Sequence, residues 1–364
     1  MNKNYRIFYL DFIRVISIFL VMFIHVSAID TTLNIGTGQW QIIKILNYFA
    51  HISVPLFFMI SGALLLTSRK TSSLSYTWSH RIPRIMIPFL IWSIIYPFAA
   101  SISTNSFSLN DIFITIRNIL NHPTSPILWF MYPLIGVYIL SPIIKTFIKS
   151  ANMQMLIYTV FIWLITCSIL PSIAVLLPKN YQQILTLSPV ASFLLVGGFT
   201  GYFVLGYLLT KLKPEKINNL ILMFVFLITG LTGSFVSQVI PNVFDSNNGY
   251  YVTSIWIPIM STTAFILLRK LGNKITNLSV IKFFEFLSPL VFGIYLFHDL
   301  VIINVEPLLM KTITIHGVIA TLMRYFIVAV LSIGIIWILN LIPVINYALL
   351  GNKSKKKKVN NIKK

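Results

Sequence analysis

Three ionisable residues interrupt an apolar stretch near the start of the chain. In LDFIRVISIFLVMFIHVSA, residues 10–28, these are Asp11, Arg14 and His25. A charged side chain at mid-membrane costs about 2.5–3.5 kcal/mol on insertion scales, so it usually faces the protein interior and has a function. On a helix, positions 14 and 25 share one face, because eleven steps of about 100° complete three turns plus about 20°. Along the axis they are about 16 Å apart, so the two side chains cannot touch.

These two residue types suit two different chemical tasks. Imidazole has an unperturbed pKa near 6.5, so His25 can take a proton from a hydroxyl group near neutral pH. A guanidinium group such as that of Arg14 binds phosphate oxygens through two parallel hydrogen bonds. A purely structural role stays open for both residues. Arg14 can extend to the inner membrane surface, and His25 can be a hydrogen-bonded histidine at the interface.

The composition requires a membrane environment around these residues. Of the 364 residues, 57% are hydrophobic and only 10% are charged, and the mean hydropathy is +0.85. The single cysteine, Cys167, gives neither a disulfide framework nor a CxxC metal or redox motif. We therefore predict a polytopic membrane protein rather than a water-soluble one.

Apolar runs long enough to cross a hydrocarbon core of about 30 Å predict an all-α bundle of about ten transmembrane helices. In the second span, His51 is expected at the outer start, where it can form a wall of an acceptor site. The predicted spans are 8–28, 46–66, 84–102, 127–147, 155–177, 190–210, 218–240, 252–270, 286–305 and 318–343.

Lysine and arginine concentrate on alternate connections between these spans, which predicts that both termini are cytoplasmic. The net charge of +20 is therefore mostly a consequence of topology. The sequence predicts one integral-membrane domain over residues 1–350 and a basic cytoplasmic tail, disordered, over 351–364. That tail is expected to be attracted to membrane lipids, and no nucleic-acid partner is expected.

Five segments, in order along the chain, resemble the membrane acyltransferase type 3 family. The first is LDFIRVISIFLVMFIH, with its arginine and histidine eleven positions apart. The others are VPLFFMISGALLL (54–66), HRIPRIMIPFLIW (80–92), LWFMYPLIGVYILSPII (128–144) and SPLVFGIYLFHDLV (288–301). Each motif alone is weak, whereas the ordered set covers nearly the whole chain to about residue 345. The chain resembles the stand-alone members, which have no additional hydrolase-like domain.

The resemblance implies an O-acyltransferase of the bacterial cytoplasmic membrane, a multi-pass cell-membrane protein. It would move an acetyl group from cytoplasmic acetyl-CoA to a hydroxyl of a cell-envelope or secreted carbohydrate, with no metal. Either it transfers directly to its acceptor or a separate glycan-modifying partner completes the transfer. The implied catalytic residues are His25 and Arg14, and whether His25 acts as base or nucleophile stays open. The implied donor-binding residues are Arg14, Arg81 and Arg84, and the implied substrate-binding residues are Ser61, Tyr295 and His298.

Two further classes of function stay open on the residues alone. Intramembrane charge is equally natural in a transporter or exporter of a polysaccharide or lipid-linked intermediate. The lack of two similar halves with matched broken helices argues against that alternative. The second alternative is an assembly partner with a degenerate site, in which His25 could be changed without a phenotype.

The predicted topology is open to a direct test with reporter fusions. A reporter fused after Lys364 should be active only in the cytoplasm, and one inserted near Asn247 only on the outer side, because of the Lys/Arg asymmetry. The opposite pattern would contradict the ten-span prediction and the assignment of the donor face.

Overall fold

A computed structural model describes residues 7–33, 35–103, 109–117, 119, 121–178, 198–239, 254–312 and 317–352. The described residues form helices, turns and connections and contain no β-strand, which confirms the all-α prediction. The described α-helices of seven or more residues are α1 Phe8–Ala28, α2 Gly38–Ala50, α3 Ser53–Leu65, α4 Pro83–Ser103, α5 Leu109–Arg117, α6 Met131–Ser150, α7 Met153–Leu164, α8 Leu170–Leu176, α9 Thr200–Lys211, α10 Asn219–Val239, α11 Trp256–Lys274, α12 Leu278–Leu287, α13 Val291–Thr312, α14 Val318–Asn340 and α15 Pro343–Leu350.

Among the described residues, eight helical segments are long and apolar enough to cross a membrane. The described parts of the other two predicted spans form α9, with 12 residues, and α11, with 19 residues. Residues 190–197 and 252–253 of those spans lie outside the described residues. The protein is therefore a polytopic helical membrane protein.

The second span begins earlier than its hydropathy predicted. The spanning segment runs from Gly38 to Leu65, because α2 continues outward through a turn that contains Gln39, Gln41 and Lys44. These polar residues end the apolar run but are still helical. His51 therefore lies at the junction of α2 and α3, and its place at the outer start of the membrane-spanning part stays a prediction.

Helix α1 is central to the bundle. It contacts α2, α3, α11, α12, α13 and α14. Its apolar side chains, among them Ile13, Val15, Met22 and Val26, are almost completely buried. A helix that is surrounded by others can hold polar groups away from lipid, which is where intramembrane charge is tolerated. The bundle thus places the ionisable residues of α1 in its interior.

Helices α3 and α9 pack with their backbones in close contact, and glycine makes this approach feasible. A Cβ atom at Gly62 would overlap the carbonyl oxygen of Phe203, and one at Gly206 would overlap that of Met59. Small residues at a membrane helix interface allow this distance, and dispersion contacts then hold the helices together. The contact fixes the wall of the bundle that carries Ser61.

Candidate active site

A cavity of about 370 Å³ lies between α1, α3, α4, α6 and α13. Four of the predicted site residues line it, and these are Arg14, Ser61, Arg84 and Tyr295. They come from four different helices and from positions up to 281 residues apart. We call this space the inner cavity, because its arginine end is on the cytoplasmic side in the predicted orientation of the bundle.

Arg14 does not enter this cavity as an isolated cation. Its Nη1 donates to Asp11 Oδ1 at 3.1 Å and to Ser288 Oγ at 2.9 Å, and the Ser288 hydroxyl itself donates to Asp11 Oδ1. The three side chains form a closed network that joins α1 to the start of α13. The carboxylate compensates the guanidinium charge and orients it, which makes a cation at this depth tolerable.

Arg84 also lines the inner cavity, but its contacts differ from those of Arg14. It makes no hydrogen bond or ion pair with any described residue, so its five N–H donors are available to a ligand. The chain just after α15 covers its backbone. Gly351, at φ +64°, lies so close to Arg84 that a Cβ atom there would overlap the Arg84 carbonyl oxygen. Trp92 Nε1 holds the end of α15 in place by donating to the Leu349 carbonyl oxygen at 3.0 Å.

Two residues that the sequence analysis assigned to the tail belong to the wall of the inner cavity. Gly351 and Asn352 line the inner cavity, although the predicted membrane domain ended at residue 350. Asn352 Nδ2 donates to the Asn340 side chain at 3.2 Å, so the segment folds back onto α14. The wall of the cavity therefore includes the first two residues of that tail, and residues 353–364 lie outside the described part of the chain.

Arg81, the third predicted donor ligand, is engaged elsewhere. Its guanidinium donates to Thr71 Oγ1 at 2.5 Å and to Ser68 Oγ at 3.1 Å, and it lies 5.6 Å from the centre of the Tyr76 ring. Arg81 is not among the described residues that line the inner cavity. These partners all belong to the connection between α3 and α4, as Arg81 itself does, so the contacts stabilise the fold of that connection.

Two predicted histidines meet beyond the outer end of the inner cavity. The ring centres of His25 and His298 are 5.2 Å apart, with an interplanar angle of 50°. The Tyr295 ring, which lines the cavity, lies 6.0 Å from the His298 ring. The sequence placed Tyr295 and His298 on one face of a helix but did not predict the contact between His298 and His25. The residues thus form a path from Arg14 and Arg84 through Tyr295 to the two imidazoles.

The hydrogen bonds of His298 determine its tautomer when it is neutral. Its Nδ1 lies 2.7 Å from the Tyr295 carbonyl oxygen and 3.2 Å from that of Ile294. Carbonyl oxygens only accept, so Nδ1 carries the hydrogen. The other nitrogen, Nε2, is buried and has no hydrogen-bond partner among the described residues. His298 therefore presents an unused acceptor next to His25.

His25 makes no hydrogen bond with a described residue, and a third histidine lies near it. His51 is close enough to His25 for the two to interact electrostatically, and its Nδ1–H donates to the Asn47 carbonyl oxygen at 2.7 Å. Asn47 Nδ2 donates to Ser27 Oγ at 2.8 Å, which connects α2 to α1 one half-turn beyond His25.

In the described ranges, no group of three or more His, Cys, Asp or Glu side chains could hold a metal ion.

A second ionic network, at the outer end of α1, was not found from the sequence. Arg324 of α14 is 3% exposed; its Nη1 donates to Glu306 Oε1 at 2.7 Å and its Nη2 to Asp30 Oδ2. Thr321 Oγ1 also donates to Asp30 Oδ2, at 2.7 Å. The signal was available, because Glu306 and Arg324 both interrupt apolar runs, and such residues are expected to pair inside a bundle.

Fold and site together define a multi-pass helical membrane protein with a basic cavity on one side and an imidazole pair beyond it. The model of the family described as "Acyltransferase domain" (Acyl_transf_3) matches residues 7–341. The chain belongs to this family, and it is a membrane acyltransferase. No curated protein and no solved structure matches the chain.

Removing the cation of the outer network should destabilise the protein strongly. We expect Arg324→Met to lower the free energy of unfolding by about 3–5 kcal/mol, because the buried Glu306 and the partly buried Asp30 lose their counter-ion. Thermal unfolding followed by tryptophan fluorescence measures this. Lys282→Met, at an exposed position, is the control, and the triple variant D30N/E306Q/R324M should recover part of the loss. An unchanged melting temperature for Arg324→Met would contradict the buried network.

Proposed function

We propose that this membrane acyltransferase moves an acetyl group from acetyl-CoA, which enters from the cytoplasm, to a hydroxyl group of a carbohydrate. The observation that carries the proposal is the path from the inner cavity, which contains Arg14 and Arg84, through Tyr295 to His298 and His25. The arginines of the cavity suit the phosphates of a thioester donor, and the imidazoles beyond them suit the removal of a proton from a hydroxyl acceptor. The family favours this function over export of a glycan.

Arg84 and Arg14 would hold the phosphates of the donor. Guanidinium groups suit phosphate because the planar fork matches two of its oxygens. Arg84 supplies most of this binding in our proposal, since none of its donors is used by a described residue, whereas Arg14 is already bonded to Asp11 and Ser288. Ser61 and Tyr295, on the cavity wall, would contact the acyl-bearing arm.

His25 would act as general base on the acceptor. It removes the hydroxyl proton, the oxygen attacks the thioester carbonyl, the carbon–sulfur bond breaks, and the thiolate of CoA leaves and is protonated by the imidazolium. His298 would orient this base. Its Nε2 can accept the N–H of the His25 ring, which leaves the second His25 nitrogen as the proton acceptor. A fixed neutral partner of this kind has the positioning function that the carboxylate serves in a Ser-His-Asp triad.

The acceptor would approach from the opposite side. An outer cleft of about 470 Å³ begins at Asp30, and Thr37, Gln39 and Trp40 also line it. Asp30 follows His25 by five residues, or about 7.5 Å along a helix axis. The Trp40 indole is held by its Nε1–H, which donates to the Thr31 carbonyl oxygen at 2.9 Å. A fixed aromatic ring beside carboxylate, amide and hydroxyl groups suits a sugar, which has apolar C–H faces and many hydroxyls.

In this proposal the protein lies in a bacterial cytoplasmic membrane and modifies a glycan of the cell envelope or a secreted glycan. The donor exists only in the cytoplasm and the acceptor cleft lies at the other end of α1, so the acyl group crosses the bundle. A separate glycan-modifying protein can receive the group on the outer side. This part of the proposal rests on the predicted orientation of the bundle.

Calorimetric titration of CoA into variants, together with an acetyl-transfer assay, tests the assignment of the two sites. His25→Ala should lower turnover about 10²–10⁴-fold and leave CoA affinity nearly unchanged, because the imidazole acts mainly in the transition state. Arg84→Ala should weaken CoA binding by about 1.5–3 kcal/mol, and Arg84→Lys should recover only part of it.

Arg117→Ala, an exposed arginine at the end of α5, is the matched control and should bind CoA like the parent protein. Arg81→Ala shows whether the third predicted arginine contributes. Loss of CoA binding in His25→Ala, or normal binding in both Arg84→Ala and Arg14→Ala, would refute the proposed sites.

The carbohydrate acceptor is tested in cells. Envelope glycans from a deletion strain should contain fewer O-acetyl esters than those from the parent, and His25→Ala should not restore them although the wild-type gene does. Proton NMR of the purified glycans measures the ester content. Equal acetylation in parent and deletion strains would contradict the proposal that the acceptor is a carbohydrate.

A further inference from the structure

A second cavity lies on the other side of α1 from the inner cavity and takes no part in the proposed reaction. It is a groove of about 510 Å³ between α10 and α11, and Ile16 of α1 and Ile52 at the start of α3 form its floor. Its walls are almost entirely apolar and include Met223, Phe226 and Leu267. We call it the α10–α11 groove.

Polar groups occur at one end of this groove only. That end is lined by Lys274, the last residue of α11, by Lys270 one turn before it, and by Asn219, the first residue of α10. Ala264 lines the groove six residues before Lys270 and ten before Lys274, so the apolar part extends about 9 Å from the first lysine and about 15 Å from the second. The positive-inside rule places the lysines at the cytoplasmic surface. The groove is thus basic at the membrane surface and apolar toward the centre.

The positive charge at this end is not compensated within the groove. No Asp or Glu is among the described residues that line it. Lys270 Nζ donates to the Ile217 carbonyl oxygen at 2.7 Å, which leaves two of its three hydrogens for another acceptor. Lys274 is exposed. Two ammonium groups four residues apart on one helix face attract an anionic group such as a phosphate.

The groove opens toward lipid rather than toward another part of this chain. On the α10 side its rim is formed by Leu220 and Met223, which are 79% and 47% exposed. A bilayer offers one component with an anionic head at the depth of the lysines and a hydrocarbon chain below it. That component is a phospholipid of the cytoplasmic leaflet.

We propose that the α10–α11 groove binds one anionic phospholipid, with its head group on Lys270 and Lys274 and an acyl chain against Ile16 and Met223. The volume falls in the range of about 300–1,000 Å³ that is typical of ligand pockets. The bound chain contacts α1 two residues after Arg14, and it contacts Ile52, next to His51. The lipid therefore supports the helices that carry the proposed site, and the inference stands whether or not the acyl group is acetyl.

Native mass spectrometry of the purified full-length protein, with added lipid, tests this proposal. Phosphatidylglycerol should bind as one retained molecule and more tightly than phosphatidylcholine with the same chains. Replacing both lysines (K270Q/K274Q) should abolish this preference, with about a fivefold loss for each lysine. Lys282→Gln, at an exposed basic residue of α12 that does not line the groove, should keep it.

Two further measurements separate the groove from general lipid solvation. Met223→Trp, which fills the groove from its exposed rim, should reduce phosphatidylglycerol binding and its thermal protection while the protein stays folded. Inorganic phosphate alone should give no protection, because the acyl chain is required. Equal retention of the two lipids, a preference that survives K270Q/K274Q, or a dimer that forms through the groove and excludes lipid, would overturn the proposal.

Discussion

Every charge on α1 has to be compensated inside a bilayer, and the way this is done fixes the position of the helix. At the inner end, Arg14 is paired with Asp11 and bonded to Ser288, where α13 begins. At the outer end, Asp30 is bonded to Arg324 of α14. Buried ion pairs contribute little net stability, but breaking one is expensive, so they act as constraints on geometry. His25 lies between two such constraints.

In the proposed reaction, this arrangement would let one helix serve a donor on one side of the membrane and an acceptor on the other. The ionic networks hold α1 against α13 and α14, and His298 of α13 lies against His25 in the last turn of α1, with Tyr295 next to it on α13. The imidazole pair is therefore positioned by polar contacts at both ends of α1, and lipid-facing helices such as α10 do not contribute to it. In the proposed reaction, donor and acceptor reach this fixed centre from opposite ends.

The sequence predicted the parts of this structure that depend on local patterns. Apolar length gave the bounds of α1 as residues 8–28, and the structure has Phe8–Ala28. The motifs supplied seven candidate site residues, and four of them, Arg14, Ser61, Arg84 and Tyr295, line one cavity, whereas His25, Arg81 and His298 are not among its described lining residues.

Contacts between distant helices could not be predicted in this way. The pairing of His25 with His298 and the fold-back of Gly351 onto Arg84 depend on how the helices pack, which no local pattern encodes. The outward extension of α2 beyond the apolar run was also missed, for a different reason. Hydropathy marks where apolar residues end, whereas α2 continues as a helix through its polar first turns.

The two arginines of the inner cavity, which the motifs treat alike, are physically different. The guanidinium of Arg14 faces a carboxylate 3.1 Å away, so its attraction for a phosphate is opposed by the repulsion between that phosphate and Asp11. Arg84 has no carboxylate neighbour among the described residues, so no negative charge of that kind opposes its attraction for a phosphate. Since Asp11, Arg14 and Ser288 also join two helices, the main function of Arg14 in the proposed mechanism is to orient the donor end of α1. Arg84, whose backbone is held by the segment after α15, is then the principal anchor for the phosphates.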